Sequence, residues 1–217
     1  MANTPAQITA RILLETNSVL LQPDDPFTLT SGRKSPVYTD CRRLIAFPRA
    51  RRRLMDMGAA MIEEAVGFET LDVVAGGETA GIPFAAWMAD RMSLPMCYVR
   101  KKPKGFGRNA RIEGALEEGQ NVLLVEDLAT DGGSKLSFVD GIREAGAECA
   151  HCFVVFHYGI FPEGVAALEQ GGVKLHALCT WWDVLAEICE ADTFSADQIK
   201  AIRSFLDDPN GWAEEKG

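Results

Sequence analysis

The chain has 217 residues, of which 47% are hydrophobic and 24% are charged, a balance that is ordinary for a soluble globular protein. No stretch approaches the roughly 20 apolar residues of a membrane span, and the first ten residues lack the basic and then apolar pattern of a secretory signal. The formal net charge of −9 argues against a general nucleic-acid binder, which is usually basic. The length suits one domain over residues 1–217.

Positive charge is nevertheless concentrated in two places. Arg49 and residues 51–53 form one cluster, and the second cluster lies between Arg100 and Arg111. A basic loop in an acidic protein indicates a local anionic ligand such as phosphate or pyrophosphate. The six cysteines lie mostly in apolar stretches, which favours buried thiols in a reducing compartment over disulfides. The sequence therefore predicts a cytoplasmic protein with neither nucleic acid nor membrane as a partner.

The first third of the chain mixes helical and extended patterns. Apolar spacing predicts a helix over residues 8–21. Residues 27–40 are rich in Thr, Ser, Gly and Pro and predict short strands or loops. A longer helix is predicted over residues 48–66, because Pro48 suits a first helical turn and an apolar face follows it.

From residue 69 onward, short apolar runs alternate with helical patterns. The predicted strands are 71–75, 96–99, 122–125, 152–156 and 174–178, and the predicted helices are 82–92, 134–145 and 165–170. Continuous apolar runs separated by helices are typical of parallel strands covered on both faces. We therefore predict an α/β doubly wound parallel sheet over residues 69–190. Residues 1–68 and 191–217 are predicted to be appendages, the latter with a helix capped by Ser195 and a polar tail.

The segment 121–134 reads Asn-Val-Leu-Leu-Val-Glu-Asp-Leu-Ala-Thr-Asp-Gly-Gly-Ser. Glu126 and Asp127 are expected at the carboxyl end of a central strand, where doubly wound sheets bind ligands. Residues 130–134 form a small-residue loop that opens a helix, and its amides, hydroxyls and helix dipole suit a phosphate. Carboxylates for a ribose diol beside amides for a phosphate describe a ribose 5-phosphate site.

This segment resembles the phosphoribosyl diphosphate (PRPP) signature of the type I phosphoribosyltransferase family. The resemblance implies that Glu126 and Asp127 hold the ribose hydroxyls. It also implies that the following loop holds the 5-phosphate, through Ala129, Thr130, Gly132, Gly133 and Ser134. Asp131 departs from the pattern, because an anion at this position could repel a phosphate unless its side chain faces solvent.

Three further segments resemble the orotate phosphoribosyltransferase family, in wording closest to its alphaproteobacterial branch. Residues 27–40 resemble the N-terminal hood that covers orotate, and residues 76–83 resemble the pyrophosphate loop, with Gly76 and Gly77 letting the backbone approach the anion. Residues 98–107 resemble the family's mobile catalytic loop, which reaches into the neighbouring subunit's site.

The family resemblance implies a set of roles for named residues. Arg100, Lys101 and Lys104 would be the catalytic cations, and Tyr38 and Thr130 would contact orotate. Mg²⁺ would be the cofactor, carried by PRPP near the two acids without a direct protein ligand. The partners would be PRPP, orotate and a second copy of the chain, with the loop 100–111 shared across the dimer interface.

The implied reaction transfers ribose 5-phosphate from PRPP to orotate in de novo pyrimidine biosynthesis, giving orotidine 5′-monophosphate and pyrophosphate. Several positions depart from the family: Lys is common where Thr30 and Ala80 stand, His where Phe106 stands, and an orotate-binding Arg where Tyr158 stands. Phenylalanine cannot transfer a proton or hydrogen-bond to pyrophosphate. Two alternatives therefore stay open, a regulatory protein that senses PRPP or a nucleotide without turnover, and a paralogue that acts on another base.

Overall fold

The computed structural model describes residues 3–29, 32–105, 110–130, 133–191 and 193–216, with the backbone alone at residues 215 and 216. Its helices and strands follow in chain order. They are α1 (Pro5–Glu15), β1 (Val19–Leu21), β2 (Phe27–Thr28), β3 (Lys34–Ser35), β4 (Val37–Thr39), a 3₁₀ helix (Cys41–Ala46), α2 (Pro48–Val66), β5 (Val73–Gly77), α3 (Gly81–Met92), β6 (Met96–Val99), β7 (Ile112–Glu113), β8 (Asn121–Ala129), α4 (Gly133–Glu144), β9 (Glu148–His157), α5 (Pro162–Gln170), β10 (Lys174–Thr180), α6 (Trp181–Ala191), α7 (Ala196–Asp207) and α8 (Pro209–Lys216).

A six-stranded sheet in the order β10-β9-β8-β5-β6-β7 lies at the centre. Its strands pair in parallel except β6 and β7, which are antiparallel. Helices α3, α4 and α5 each connect two parallel strands, as parallel pairing requires. The predicted doubly wound α/β fold is confirmed. Neighbouring β5 and β8 both point their carboxyl ends at one edge of the sheet, where such folds bind ligands.

Both faces of the sheet are covered, because the central strands are apolar on both sides. Along β8, Leu123 and Val125 belong to one core cluster, while Val122 and Leu124 belong to the other. All four are at most 1% exposed. Helices α1, α2, α3 and α6 lie on the first face, and α4 and α5 lie on the second. The alternation of a fully apolar strand thus builds a three-layer core.

The N-terminal helix is shorter than its apolar pattern predicts. Helix α1 begins with a capping box between Thr4 and Gln7 and ends at Glu15, before Asn17 adopts a left-handed φ of 51°. The next apolar residues, Val19–Leu21, pair antiparallel with Val37–Thr39. The prediction of one helix over residues 8–21 is therefore wrong after Glu15, because a turn joins two apolar elements whose combined spacing imitates a longer helix.

The segment predicted as an N-terminal hood contains two kinds of structure. Helices α1 and α2 pack on the central sheet, with Leu13, Leu54 and Ile62 fully buried. Strands β1 to β4 form two small antiparallel pairs outside that sheet. The prediction of a helix over residues 48–66 is confirmed at both ends.

The C-terminal part is more helical than predicted. The predicted N-cap at Ser195 is confirmed, with a capping box to Gln198. Residues 181–191 form a helix that the sequence reading leaves unassigned, and Trp181 at its start is fully buried. The polar tail predicted after Asp207 is helical, because residues 209–216 form α8 and its Trp212 packs edge-on against Phe205 at 5.5 Å between ring centroids. Tertiary packing, not intrinsic propensity, fixes such a short helix.

All six cysteines are free, and five of them are buried, as the sequence predicts. Among the described residues, no helix is long and apolar enough to cross a membrane.

Close packing of α2 on β9 gives a direct test of the core. A Cβ added at Gly58 would lie 2.5 Å from the Phe153 ring and 2.9 Å from the Met88 methyl group. We expect Gly58→Ala to lower the free energy of unfolding by about 1–3 kcal/mol because of overpacking, although alanine favours a helix by about 1 kcal/mol over glycine. Urea denaturation measures the change. Ala60→Gly, at an exposed position of α2, is the control for backbone propensity, and a more stable Gly58→Ala variant would contradict the packing.

Candidate active site

Glu126 and Asp127 lie inside strand β8, not beyond its end. The prediction that the strand stops at Val125 is wrong, because β8 continues to Ala129 and pairs with β9 as far as His157. Both carboxylate residues are only 6% exposed. Successive strand residues point to opposite faces, so the two acids have different neighbours.

Glu126 is held on one side by a buried lysine. Its Oε2 lies 3.2 Å from Nζ of Lys135 in the first turn of α4. Its Oε1 is buried and has no hydrogen-bond partner among the described residues. Burial raises the pKa of Glu126 to about 7, against the opposing charge of Lys135. A carboxylate with one paired and one unpaired oxygen can accept hydrogen bonds from a ligand.

Gly77 and Gly81 leave the space that the Glu126 carboxylate occupies. A Cβ on Gly77 would lie 2.6 Å from the Phe138 ring and closer still to Glu126 Oε1, and a Cβ on Gly81 would also collide with that oxygen. Gly76 makes room instead for the first turn of α3, since its Cβ would meet Gly81 and Ile82 at 2.9 Å. These glycines therefore shape the site from behind.

Asp127 faces the N-terminal segment. Burial raises its pKa, while the backbone N–H of Leu128, 2.9 Å from Oδ1, acts in the opposite direction. The charge of Arg42 also lowers the pKa of Asp127. Arg42 donates from Nε to Asp40 Oδ1 at 2.8 Å. That hydrogen bond is the largest cause of the raised pKa of Arg42, and the charges of Tyr38 and Asp127 raise it more weakly.

A cavity of about 530 Å³ opens in front of Glu126. It is lined by Arg42, Ile45, Glu78, Thr79, Ala80, Pro83, Lys101, Glu126, Ser134 and Phe138. The volume lies in the range of small-molecule sites. The structure thus brings the acidic strand, the start of the basic loop and the loop after β5 to one cavity.

The predicted phosphate loop runs from the end of β8 into α4. Ala129 is buried, Thr130 is half-buried, and Gly133 and Ser134 are exposed at the start of α4. Gly132 and Asp131 lie outside the described residues. The amino end of a helix carries partial positive charge, and it lies beside the cavity through Ser134.

The predicted pyrophosphate loop 76–83 borders the cavity from Glu78 onward, two residues after its predicted start. Glu78, Thr79 and Ala80 line it, whereas Gly76 and Gly77 lie in β5. The peptide bond between Glu78 and Thr79 is cis. Glu78 Oε2 accepts a hydrogen bond of 2.8 Å from the backbone N–H of Lys101. This bond fixes the basic loop to the rim of the cavity.

The three predicted catalytic cations point in different directions. Lys101 lines the cavity. Arg100 Nη1 and Lys104 Nζ instead lie 3.2 Å and 3.6 Å from Glu113 Oε1, and the Lys104 side chain is 71% exposed. Phe106 lies outside the described residues.

The two aromatic candidates lie on different segments of the chain that come close enough to interact electrostatically. Tyr38 is half-buried on β4, with its ring 5.7 Å from that of Phe27. Tyr158 follows β9 and packs against Phe156, Phe161 and Trp181, with centroid separations of 5.9–6.3 Å. Burial raises the pKa of Tyr158.

Sequence reasoning misses two residues of this site, Arg42 and Lys135. Arg42 follows an irregular hood segment and reaches the cavity only through the tertiary fold. Lys135 directly follows the motif and resembles an ordinary surface lysine in sequence. The signal in the sequence that could have identified Lys135 is a cation placed directly after a phosphate loop, which itself follows two acidic residues.

Comparison with known proteins agrees with the fold. Residues 48–170 match the family described as the phosphoribosyl transferase domain. The chain is 60% identical over 211 residues to the orotate phosphoribosyltransferase of Cereibacter sphaeroides, covering 97% of this chain and 91% of that protein. It is 59% identical over 213 residues to that of Roseobacter denitrificans, covering 98% and 95%. The crystal structure of orotate phosphoribosyltransferase from Aeropyrum pernix superposes with a TM-score of 0.72 at 30% identity, covering 83% of this chain and 98% of that one.

The family of the chain follows from three observations: the parallel-sheet topology, the acidic pair on β8 and the near-complete coverage of these relatives. The chain belongs to the phosphoribosyltransferases, and within them to the orotate phosphoribosyltransferase family.

The buried carboxylate makes stability depend on pH. Since burial raises the pKa of Glu126 from 4.5 to about 7, the folded state favours its protonated form, and this stabilisation is lost as the pH rises through about 7. Wild type should therefore lose up to about 3 kcal/mol relative to Glu126→Gln between pH 4.5 and 8.

Urea denaturation of both proteins at several pH values measures this difference. His176, whose pKa burial lowers to about 4, acts in the opposite direction, but it is present in both proteins and cancels. Parallel stability profiles for the two proteins would show that Glu126 titrates normally.

Proposed function

We propose that this chain transfers ribose 5-phosphate from PRPP to orotate, giving orotidine 5′-monophosphate and pyrophosphate for pyrimidine nucleotide synthesis. One observation carries the proposal: two carboxylate residues, each 6% exposed, lie on a parallel strand beside a cavity that also receives a lysine and a helix amino end. Buried acids are costly unless a ligand or a cation satisfies them. A ribose diol offers two hydroxyl donors for that purpose.

The ribose 5-phosphate half of PRPP fits the end of β8. We assign its hydroxyls to Glu126 and Asp127, because both carboxylates are acceptors and Glu126 Oε1 has no partner among the described residues. We assign the 5-phosphate to the loop from Ala129 to Ser134, including Gly132 and Gly133, because the amino end of a helix favours an anion and Ser134 is exposed there.

The pyrophosphate half is assigned to the cavity rim. Lys101 and the backbone of residues 78–80 line this rim, with the glycines of β5 behind it. Catalysis then consists mainly of stabilising the negative charge on the leaving pyrophosphate while positive charge develops at the ribose carbon C1. Glu78 contributes by holding the Lys101 backbone in place.

Mg²⁺ is the proposed cofactor and would arrive with PRPP. It prefers oxygen ligands and often binds through substrate phosphates. The described residues offer no group of three or more His, Cys, Asp and Glu side chains that could hold a metal, so the proposed ligands are oxygens of PRPP, close to Glu126 and Asp127. Bound there, the cation would neutralise part of the pyrophosphate charge.

Orotate carries a carboxylate that needs a cationic partner. Tyr158 packs among other aromatic rings at the position where the family commonly has arginine. Arg42 lines the cavity and donates from Nε to Asp40. Its other guanidinium N–H groups are therefore available to a ligand carboxylate. We therefore assign the orotate carboxylate to Arg42, and the ring of the base to the vicinity of Tyr38 and Thr130.

The basic loop supports a homodimer. Arg100 and Lys104 pair with Glu113 and turn away from the cavity of their own chain. This direction suits a loop over residues 100–111 that serves the cavity of a second copy. The five buried free thiols suit a reducing compartment such as the cytoplasm.

A spectrophotometric assay tests the function. Purified protein with Mg²⁺, PRPP and orotate should consume orotate, and the reverse reaction should proceed from orotidine 5′-monophosphate and pyrophosphate. Intact PRPP binding without any turnover would instead identify a sensor on the same scaffold. Turnover with another pyrimidine or purine but not orotate would identify a paralogue of different base specificity.

The loop assignment predicts a loss of turnover without loss of folding. We expect Lys104→Ala to lower kcat by about 100-fold or more, because a cation that acts on the leaving anion is removed, and to leave the urea midpoint nearly unchanged at this exposed position. Lys200→Ala, on the exposed surface of α7, is the control. Equal activities of the two variants would rule out the catalytic role of Lys104.

Subunit mixing tests whether the loop is shared. Lys104→Ala damages the loop, and Asp127→Asn damages the ribose site of the chain that carries it. If the loop serves the neighbouring cavity, one site of each mixed dimer is intact, and random exchange should restore about a quarter of wild-type activity. A mixture that stays inactive after verified subunit exchange would place Lys104 in its own chain's site.

A further inference from the structure

The side chain of Lys135 is unusually buried for a lysine. It is 6% exposed in the first turn of α4, although lysine is almost never buried without a partner. A cation at the amino end of a helix also opposes the helix dipole. Some other interaction must therefore account for its burial there.

The partner of Lys135 is Glu126. Nζ lies 3.2 Å from Glu126 Oε2, with side-chain exposures of 7% and 8%, and 3.1 Å from Ser134 Oγ. A buried ion pair of this kind is weak evidence of stabilisation, because desolvation offsets most of the attraction and apolar replacements are often as stable. The pair instead sets the position and the charge of Glu126.

The pair fixes both the direction and the ionisation of the Glu126 carboxylate. Lys135 pairs with Oε2, and Oε1 lies buried against Gly77 and Gly81, so the carboxylate is held in one orientation. Among the charged groups around it, Asp127 disfavours ionisation, whereas Lys135 and, more weakly, Lys101 favour it. The thiol of Cys152, on neighbouring β9, is also close enough to interact with both Lys135 and Glu126.

We infer that Lys135 is a positioning residue for PRPP, which holds Glu126 as a carboxylate in a fixed orientation at the wall of the cavity proposed to receive the ribose. A protonated Glu126 would replace one of its acceptor sites with a donor. Lys135 acts through Glu126 and does not itself touch the ribose. This inference rests on the proposed function, since it names the support for the proposed sugar site.

A direct contact between Lys135 and the 5-phosphate is the competing explanation, because the residue directly follows the phosphate loop. The two explanations differ in coupling. If Lys135 works through Glu126, removing both residues costs no more than removing Glu126 alone. If Lys135 binds the phosphate, the two losses add.

The experiment is a double-mutant cycle on the full-length protein. It compares wild type, Lys135→Met, Glu126→Gln and the double variant, with Lys200→Met as the control. We expect Lys135→Met to raise the KM for PRPP at least tenfold, to leave the KM for orotate within about twofold, and to shift the acidic limb of kcat/KM for PRPP to higher pH. The double variant should match Glu126→Gln. Additive losses, or an unchanged KM and pH profile in Lys135→Met, would overturn the inference.

Folding and function are separated within the same experiment. Urea denaturation identifies a variant that does not fold. If Lys135→Met does not fold, Lys135→Gln replaces it, because glutamine keeps a hydrogen-bond donor. Lys135→Gln should show the same PRPP-selective loss to a smaller degree. Wild type that binds PRPP without turnover overturns the proposed reaction only, and calorimetric PRPP affinities then complete the cycle. Wild type that neither binds nor reacts overturns both proposals.

Discussion

The structure depends on the burial of two adjacent carboxylates at the end of a central parallel strand. Desolvation of Glu126 and Asp127 raises the pKa of both groups and costs free energy that an apolar pair would not. Such an arrangement persists in a folded chain when a ligand uses it. The sheet places the pair where β5 ends beside β8, which continues to Ala129, so the costly groups and the cavity lie at the same edge of the sheet.

Surrounding residues offset part of the free-energy cost of burying the two carboxylates. Gly77 and Gly81 provide space, and Lys135 pairs with one oxygen of Glu126. Arg42 provides positive charge on the side of Asp127. Glu126 Oε1 stays unpaired among the described residues, and Glu126 borders a cavity whose other walls carry Lys101 and the start of α4. The same carboxylates therefore link stability, ionisation and the proposed binding of the sugar.

Sequence alone identifies much of this arrangement, because local patterns carry it. Composition and spacing predict the buried strand β8, helix α2 and the acidic pair beside the phosphate loop. The extension of β8 to Ala129 is not, since pairing with β9 holds polar residues in the strand. Contacts between distant segments, such as that of Arg42 with the cavity and that of Trp212 with Phe205, depend on tertiary packing. The pairing of Lys135 with Glu126 needs the helix to return over the strand, which spacing does not reveal.

The most direct measurement is a crystal structure of the protein with PRPP and Mg²⁺. The account predicts the ribose hydroxyl oxygens about 2.5–3.0 Å from the Glu126 and Asp127 carboxylates, with the 5-phosphate on the backbone amides that open α4. A bound ribose that contacts neither carboxylate, with Glu126 Oε1 paired to a protein group, would contradict it.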